Sequence, residues 1–212
     1  MKSKRLKSLR RNEYSQAAFE TVCIYGFSST TVDLVAKHAG ASKTNVLHYF
    51  GNKTSLLEGA LRYGNSVLVD EVRALMIRSK TPWERVYSVL LANFSAKTFD
   101  PKLAHAWLSL CAEVPYHSNF QRIQTVIHSR MHSNLLHALR QITDEKRAEV
   151  TAALISATID GLWLRLAVQA EPLKVETALG QIEELMNSLF PNDENRVLAK
   201  RKMAEIQKIL FP

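Results

Sequence analysis

The chain has 212 residues, 46% of them hydrophobic and 23% charged, which excludes a disordered polypeptide and leaves room for a sizeable core. Seven glycines and six prolines are few for this length and favour long helices over a turn-rich β fold. The formal charge of +8 is uneven: residues 1–62 carry ten Lys/Arg against four Asp/Glu, which is +6 of the total, so that end expects a polyanion as partner.

Met1 to Arg11 holds six basic residues and reads either as an arm that orders on DNA or as a solvated tail. A first helix is expected from about Arg11 to Tyr25, stopped by Gly26. The next stretch, TTVDLVAKHAGASKTNVLHYFGNK from Thr30 to Lys53, reads as two short helices joined by a tight turn. Thr30 stands where an N-cap belongs, with Asp33 three residues on as in a capping box. Val32, Leu34, Val35, Ala36 and Ala39 supply an apolar face, and Gly40 ends the helix. Ser42 caps the following helix, whose first turn is Lys43-Thr44-Asn45. Val46, Leu47 and Phe50 point inward, and Gly51 stops it. This is a helix-turn-helix pattern, in which the second helix enters the DNA major groove.

A long helix is expected from near Thr54 to Ser79. Thr81-Pro82-Trp83-Glu84 opens another, running to about Phe99, with the N-cap, N1 proline and N3 glutamate of a helix start. Asp100-Pro101 opens a helix to Val114, Ser118 to Gln121 one to Ile142, and Thr143-Asp144 one to Ala170. A further helix covers about Val175 to Phe190, and Asn195 to Leu210 ends the chain in a last one. The stretch Ala152–Ala170 is apolar nearly all round, so it expects burial on more than one side; a two-fold pairing with a second copy supplies that. Asp160 and Arg165 interrupt it and argue against a membrane span. There is no apolar signal segment after the basic N-terminus, so a cytoplasmic location is expected. Cys23 and Cys111 lie in apolar contexts and read as reduced thiols, with a redox switch as the alternative.

The stretch Phe27 to Lys53, with TTVDLVAKHAGAS followed by LHYFGNK, resembles the DNA-binding domain of the TetR family of transcriptional regulators. The segment IDGLWLRLA from Ile159 to Ala167, with Ala106-Trp107-Leu108 and Arg130 to Leu135, is similar to the choline-responsive BetI-type subgroup of that family. The resemblance implies an all-α homodimer: a three-helix DNA-binding domain over residues 1–62 and a helical ligand-binding and dimerisation domain over 63–191. The helical extension over 192–212, read from its own apolar spacing, departs from that pattern by its length. It implies double-stranded operator DNA and a small-molecule effector as partners, with no cofactor and no metal.

At the DNA, base contact is expected from Lys43, Thr44 and Asn45, with His48 one turn on. Phosphate contact is expected from Thr30 or Thr31, Tyr49 and Lys53. Tyr49 reads alternatively as a core aromatic, and His48 as an exposed filler. For the effector, Trp107, Tyr116 and Trp163 offer rings, and Glu113 and Asp160 offer carboxylates in apolar surroundings. Together these are the groups that attract a quaternary ammonium ion. The same residues also read as core aromatics and paired acids. An activator or a ligand-independent architectural DNA binder is a second reading. An enzyme is a third, resting on His128 and His132 at i, i+4, but no HExxH, P-loop, nucleophile elbow or Rossmann fingerprint accompanies them.

Overall fold

The computed structural model describes residues 2–211, with side chains from residue 5 onward. Ten α-helices follow in order: α1 (Lys2–Ser29), α2 (Val32–His38), α3 (Lys43–Phe50), α4 (Lys53–Met76), α5 (Pro82–Asn93), α6 (Pro101–Cys111), α7 (Ser118–Leu139), α8 (Glu145–Val168), α9 (Val175–Leu189) and α10 (Glu194–Leu210). A single 3₁₀ turn, Val114–Tyr116, stands between α6 and α7. No strand occurs among the described residues, as the helical periodicities require.

The first helix starts at Lys2 rather than near Arg11, so the basic stretch continues the helix; Met1 lies outside the described residues. Leu6 and Leu9 on this stretch are exposed. Gly26, at φ +76°, breaks α1, and the chain resumes a short helical stretch to Ser29. That backbone conformation is open to glycine and strained for other residues. Gly40 and Gly51, at φ +60° and +80°, end α2 and α3 in the same way.

The chain divides into two compact units. One comprises residues up to Val67 together with Pro101–Val126, and the other Leu68–Asp100 together with Ile127 onward. In the first, α1 packs on α2, α3 and α6. Its buried residues include Tyr14, Ala18 and Val22 of α1, Val35 of α2, Val46 and Phe50 of α3, and Leu56, Leu57 and Leu61 of α4. Phe120, fully buried at the start of α7, meets Phe27 edge-on at 6.3 Å, and Asn119 donates to Glu58 at 2.9 Å. The sequence places α6 and α7 with the effector region; the structure groups α6 and the first turns of α7 with the helix-turn-helix.

In the second unit α5 is the central helix: Trp83, Glu84 and Val86 to Asn93 are all buried. A buried acid needs a partner, and Glu84 has one in Lys202 of α10 at 2.7 Å. Burial raises the Glu84 pKa, but Lys202 and the Lys80 and Thr81 backbone groups outweigh it and the carboxylate titrates below its ordinary range. The α10 helix lies along α5. Arg196 reaches Tyr87 Oη at 2.8 Å and pairs with Glu183, and Gln207 donates to the Leu91 carbonyl at 2.7 Å. Trp83 donates to Asp193 at 3.0 Å just before α10 begins.

The apolar α8 buries one face only: Ala148, Ala152, Ile155, Ile159, Leu162 and Leu166 point into the unit, where α9 packs. Val150, Leu154, Leu164 and Val168 remain exposed on the other side. Thus α5, not α8, is the helix enclosed all round within the chain. Cys23 and Cys111 are thiols, half-buried rather than enclosed.

Candidate nucleic-acid interface and effector region

The N-terminal turn of α3 is a polar surface on an apolar base. Ser42 accepts from Asn45 N at 3.1 Å and caps the helix as the sequence indicates. Val46 and Phe50 face inward and fix the rotation of the helix, which leaves Lys43, Thr44, Asn45 and His48 exposed. Lys43 Nζ pairs with Asp33 of α2 at 2.8 Å, with both side chains more than half exposed. Such a pair contributes about 0–1 kcal/mol and yields readily to a phosphate or a base edge. Asn45 Nδ2 donates to the buried Tyr14 hydroxyl at 2.9 Å. One donor of Asn45 is therefore spent inside the protein.

Thr31, not Thr30, is the N-cap of α2: its hydroxyl accepts from Leu34 N at 3.2 Å. Thr30 is buried and donates to the Gly26 carbonyl at 2.7 Å, which ties the α1 break to the start of α2. The capping box expected with Asp33 does not form, because with Thr31 as the cap Leu34 holds the N3 position; Asp33 pairs with Lys43 instead. Tyr49 is half-buried, edge-on to Tyr14 at 5.5 Å and to His48 at 5.4 Å. It has both an apolar contact and an accessible side. Lys53 is the first residue of α4; its ammonium lies 3.4 Å from the Ser28 carbonyl and 5.8 Å from the Phe27 ring. Asn52 caps that helix by accepting from Ser55 N at 2.8 Å.

Two residues that the sequence assigns no role at the DNA position this surface. Tyr14 pins Asn45. Arg11 donates to the Tyr49 carbonyl at 2.9 Å and stacks 4.5 Å above the Phe50 ring, which clamps the C-terminal end of α3 to α1. Arg11 was legible as a charge in a basic run; its role depends on tertiary contact. A cavity of about 430 Å³ in the same unit is lined by Arg11, Ser15, Glu58, Arg62 and Tyr63 among others. None of the five effector candidates lines it.

Those five fall in different units. Trp107, Glu113 and Tyr116 belong to the first; Asp160 and Trp163 belong to the second. Trp107 is half-buried and Tyr116 is 79% exposed. Glu113 pairs with His117 at 3.4 Å. In the second unit Asp160 lies 3.7 Å from His128. Burial raises the Asp160 pKa, and His128 pulls it part of the way back. Trp163 meets Phe99 edge-on at 5.8 Å, and Phe99 meets Phe94 at 5.1 Å, so three rings form a continuous run. No cluster of three His, Cys, Asp or Glu that could hold a metal occurs among the described residues.

A helix-turn-helix with a capped, polar, outward-facing second helix, followed by a larger helical unit, defines a DNA-binding regulator. Comparison with known proteins gives the family. Residues 16–60 match the family described as bacterial regulatory proteins, tetR family, and residues 82–191 match the BetI-type transcriptional repressor C-terminal family. An HTH-type transcriptional regulator BetI from Brucella anthropi is 33% identical over 84% of this chain and 92% of its own length. The chain belongs to the TetR family of transcriptional regulators, in its BetI-type branch. Solved structures share the fold. A TetR transcription regulator from Haloarcula marismortui superposes with a TM-score of 0.77 at 22% identity, covering 85% of this chain and 98% of that one. A transcriptional regulator from Saccharomonospora viridis, solved in complex with choline, superposes with a TM-score of 0.74 at 18% identity, covering 85% and 96%.

Proposed function

We propose that this protein is a ligand-responsive repressor of the cytoplasm that binds a palindromic operator as a homodimer and is released by choline or a related organic cation. The observation that carries the DNA half is the exposed row Lys43, Thr44, Asn45 and His48 on a helix whose rotation Val46 and Phe50 fix. Lys43 and the Asn45 carbonyl read base edges, and Thr31, Tyr49 and Lys53 hold phosphates. Two such helices spaced by about 34 Å, one DNA turn, read the two halves of a palindrome. The open α8 face supports the pairing: Val150, Leu154, Leu164 and Val168 recur at helical spacing, with Ala157 and Gly161 in the same row. An alanine Cβ placed at Gly161 would meet nothing within 4 Å in this chain, which leaves room for a second backbone.

The effector half rests on the aromatic run Phe94, Phe99, Trp163 in a unit that also carries buried carboxylates. Choline bound to the Saccharomonospora regulator of the same fold points the same way. The effector shifts the equilibrium only in so far as it binds the DNA-competent and released states differently. In this reading it acts on α4, which changes the spacing of the two recognition helices. Footprinting of the chain's own upstream DNA tests this: protection should fade on adding choline or betaine aldehyde and persist with a neutral alcohol of the same shape. Protection indifferent to every amine would favour an architectural DNA binder instead.

A further inference from the structure

Glu71 is the acid the sequence reading passed over. It sits on α4 at a core position, one turn before the buried Leu75, and is 1% exposed. Neither of its carboxylate oxygens accepts a hydrogen bond from the described residues. Burying a carboxylate in that condition is costly.

The groups around it explain the deficit. Thr98 Oγ1 spends its proton on the Ala92 carbonyl at 2.8 Å. Ser95 Oγ lies 2.9 Å from Thr98 Oγ1 and also stands near enough to Glu71 to lower its pKa as a donor. A hydroxyl has one proton, so Ser95 can serve Thr98 or Glu71 but not both at once. The nearest cation is Lys97 Nζ at 4.0 Å, on a side chain 63% exposed: a loose tether from the surface. Burial pushes the Glu71 pKa up, and Ser95 and Lys97 offset only part of the rise. By contrast the acids that stand out in the sequence already face a base: Asp160 faces His128 and Glu113 faces His117.

The segment that brackets Glu71 also carries the rings. Phe94 precedes Ser95 and Phe99 follows Thr98; both are buried and in edge contact, and Trp163 extends the run. A buried carboxylate whose one candidate donor is shared, and whose neighbours Ser95 and Lys97 lie on the segment that carries these rings, suits an organic monocation that brings charge but no hydrogen-bond demand.

We infer that Glu71 is the anionic end of the effector site, that Phe94, Phe99 and Trp163 form its aromatic wall, and that Lys97 is the internal cation the effector displaces. This rests on the reading that the effector is a cationic amine, and it adds which carboxylate meets it. It also ties the effector to α4, the helix that begins at Lys53 directly after the recognition helix.

Calorimetric titration of the full-length protein with choline and with 3,3-dimethyl-1-butanol, its neutral isostere, tests the assignment. Glu71→Gln should weaken choline by about tenfold or more and leave the neutral isostere unchanged. Lys97→Ala removes an exposed side chain and should tighten choline by roughly threefold, within the range of a weak ion pair. This opposite sign holds even where Glu71→Gln lowers the yield of folded protein. If the wild-type protein binds choline but both variants titrate like it, the amine reading stands and the Glu71 assignment is overturned. If the wild-type protein binds neither choline nor tetramethylammonium, the amine reading itself fails and takes Glu71 with it.

Discussion

Asn45 of the recognition helix donates its side-chain amide to the hydroxyl of Tyr14, 31 residues earlier, at 2.9 Å. Tyr14 is 3% exposed, so the bond forms where water competes poorly. It fixes both the rotation of α3 and which face of the Asn45 amide looks outward. Tyr14→Phe keeps the ring packing against Tyr49 and deletes the acceptor. The expected cost is about 1 kcal/mol of stability, seen as a drop in melting temperature of roughly 2–4 °C for a chain of this size. Operator affinity should fall with it, since Asn45 is then free to rotate. A variant with unchanged melting and unchanged operator binding would remove Tyr14 from any positioning role.

Lys53 stands at the first turn of α4, where its ammonium and the helix N-terminus both favour an anion. Its contacts to the Ser28 carbonyl and the Phe27 ring hold the chain without neutralising it. Lys53→Ala should weaken operator and random duplex by the same factor and lower the slope of log K against log salt by about one ion. Fluorescence anisotropy across a salt series measures both quantities. A loss confined to the operator would make Lys53 a reader of sequence instead.

The architecture was legible because its signals are local. Thr81-Pro82, Asp144 and Ser42 each cap the helix they announce, since capping needs only three or four consecutive residues. What escaped was set by contacts distant in sequence. Thr31 rather than Thr30 caps α2 because Thr30 is drawn to the Gly26 carbonyl, a bond that exists only once Gly26 turns the chain. The apolar composition of α8 asked for burial on more than one side, and the single chain covers one face of it; that α5 is the helix enclosed within the chain was not legible, because it depends on α10 folding back along it. Glu71 had a readable signal: it falls on the stripe that runs from Leu68 to Leu75, where an acid has no reason to be unless something meets it.

Arg196 is 2% exposed and ties α10 to Tyr87 of α5 and to Glu183 of α9. Burial lowers the arginine pKa, but Glu183 and Tyr87 more than reverse this, so the guanidinium stays charged. Arg196→Met keeps the stem and strands Glu183, with Lys200 at 3.4 Å as partial compensation. A loss of about 3 kcal/mol in urea unfolding is expected, at the low end for a broken buried pair. The double variant with Glu183→Gln should recover part of it, because the stranded charge is then gone. If the double variant is no more stable than the single one, Glu183 is not the group left uncompensated.

Leu154 and Leu164 stand on the open face of α8, 41% and 45% exposed within the single chain. Each leucine buried against a second copy contributes about 1.5–3 kcal/mol, and a two-fold interface counts every residue twice. Leu154→Glu with Leu164→Glu should therefore leave a monomer at micromolar concentration by sedimentation, with helix content intact and operator affinity sharply reduced. A dimer that survived both charges would place the pairing surface elsewhere.

Gly64 and Gly161 are both glycines inside helices, and replacing either by alanine should reveal opposite packing. In isolation the change gains about 1 kcal/mol of helix propensity. At Gly64 the new Cβ would lie 2.5 Å from Phe19 Cε2 and 2.9 Å from Cζ, on a ring 8% exposed that leans on Tyr63 at 6.0 Å. Overpacking a site of this kind costs about 1–3 kcal/mol, so the net change should be a loss. At Gly161 no atom of the chain lies within 4 Å of the new Cβ. There the propensity gain should survive in the Leu154→Glu, Leu164→Glu variant and, if the proposed pairing puts a second helix against Gly161, shrink or reverse in the paired protein. Thermal unfolding of both backgrounds separates the two terms, and an equal gain in monomer and dimer would mean that no backbone approaches Gly161.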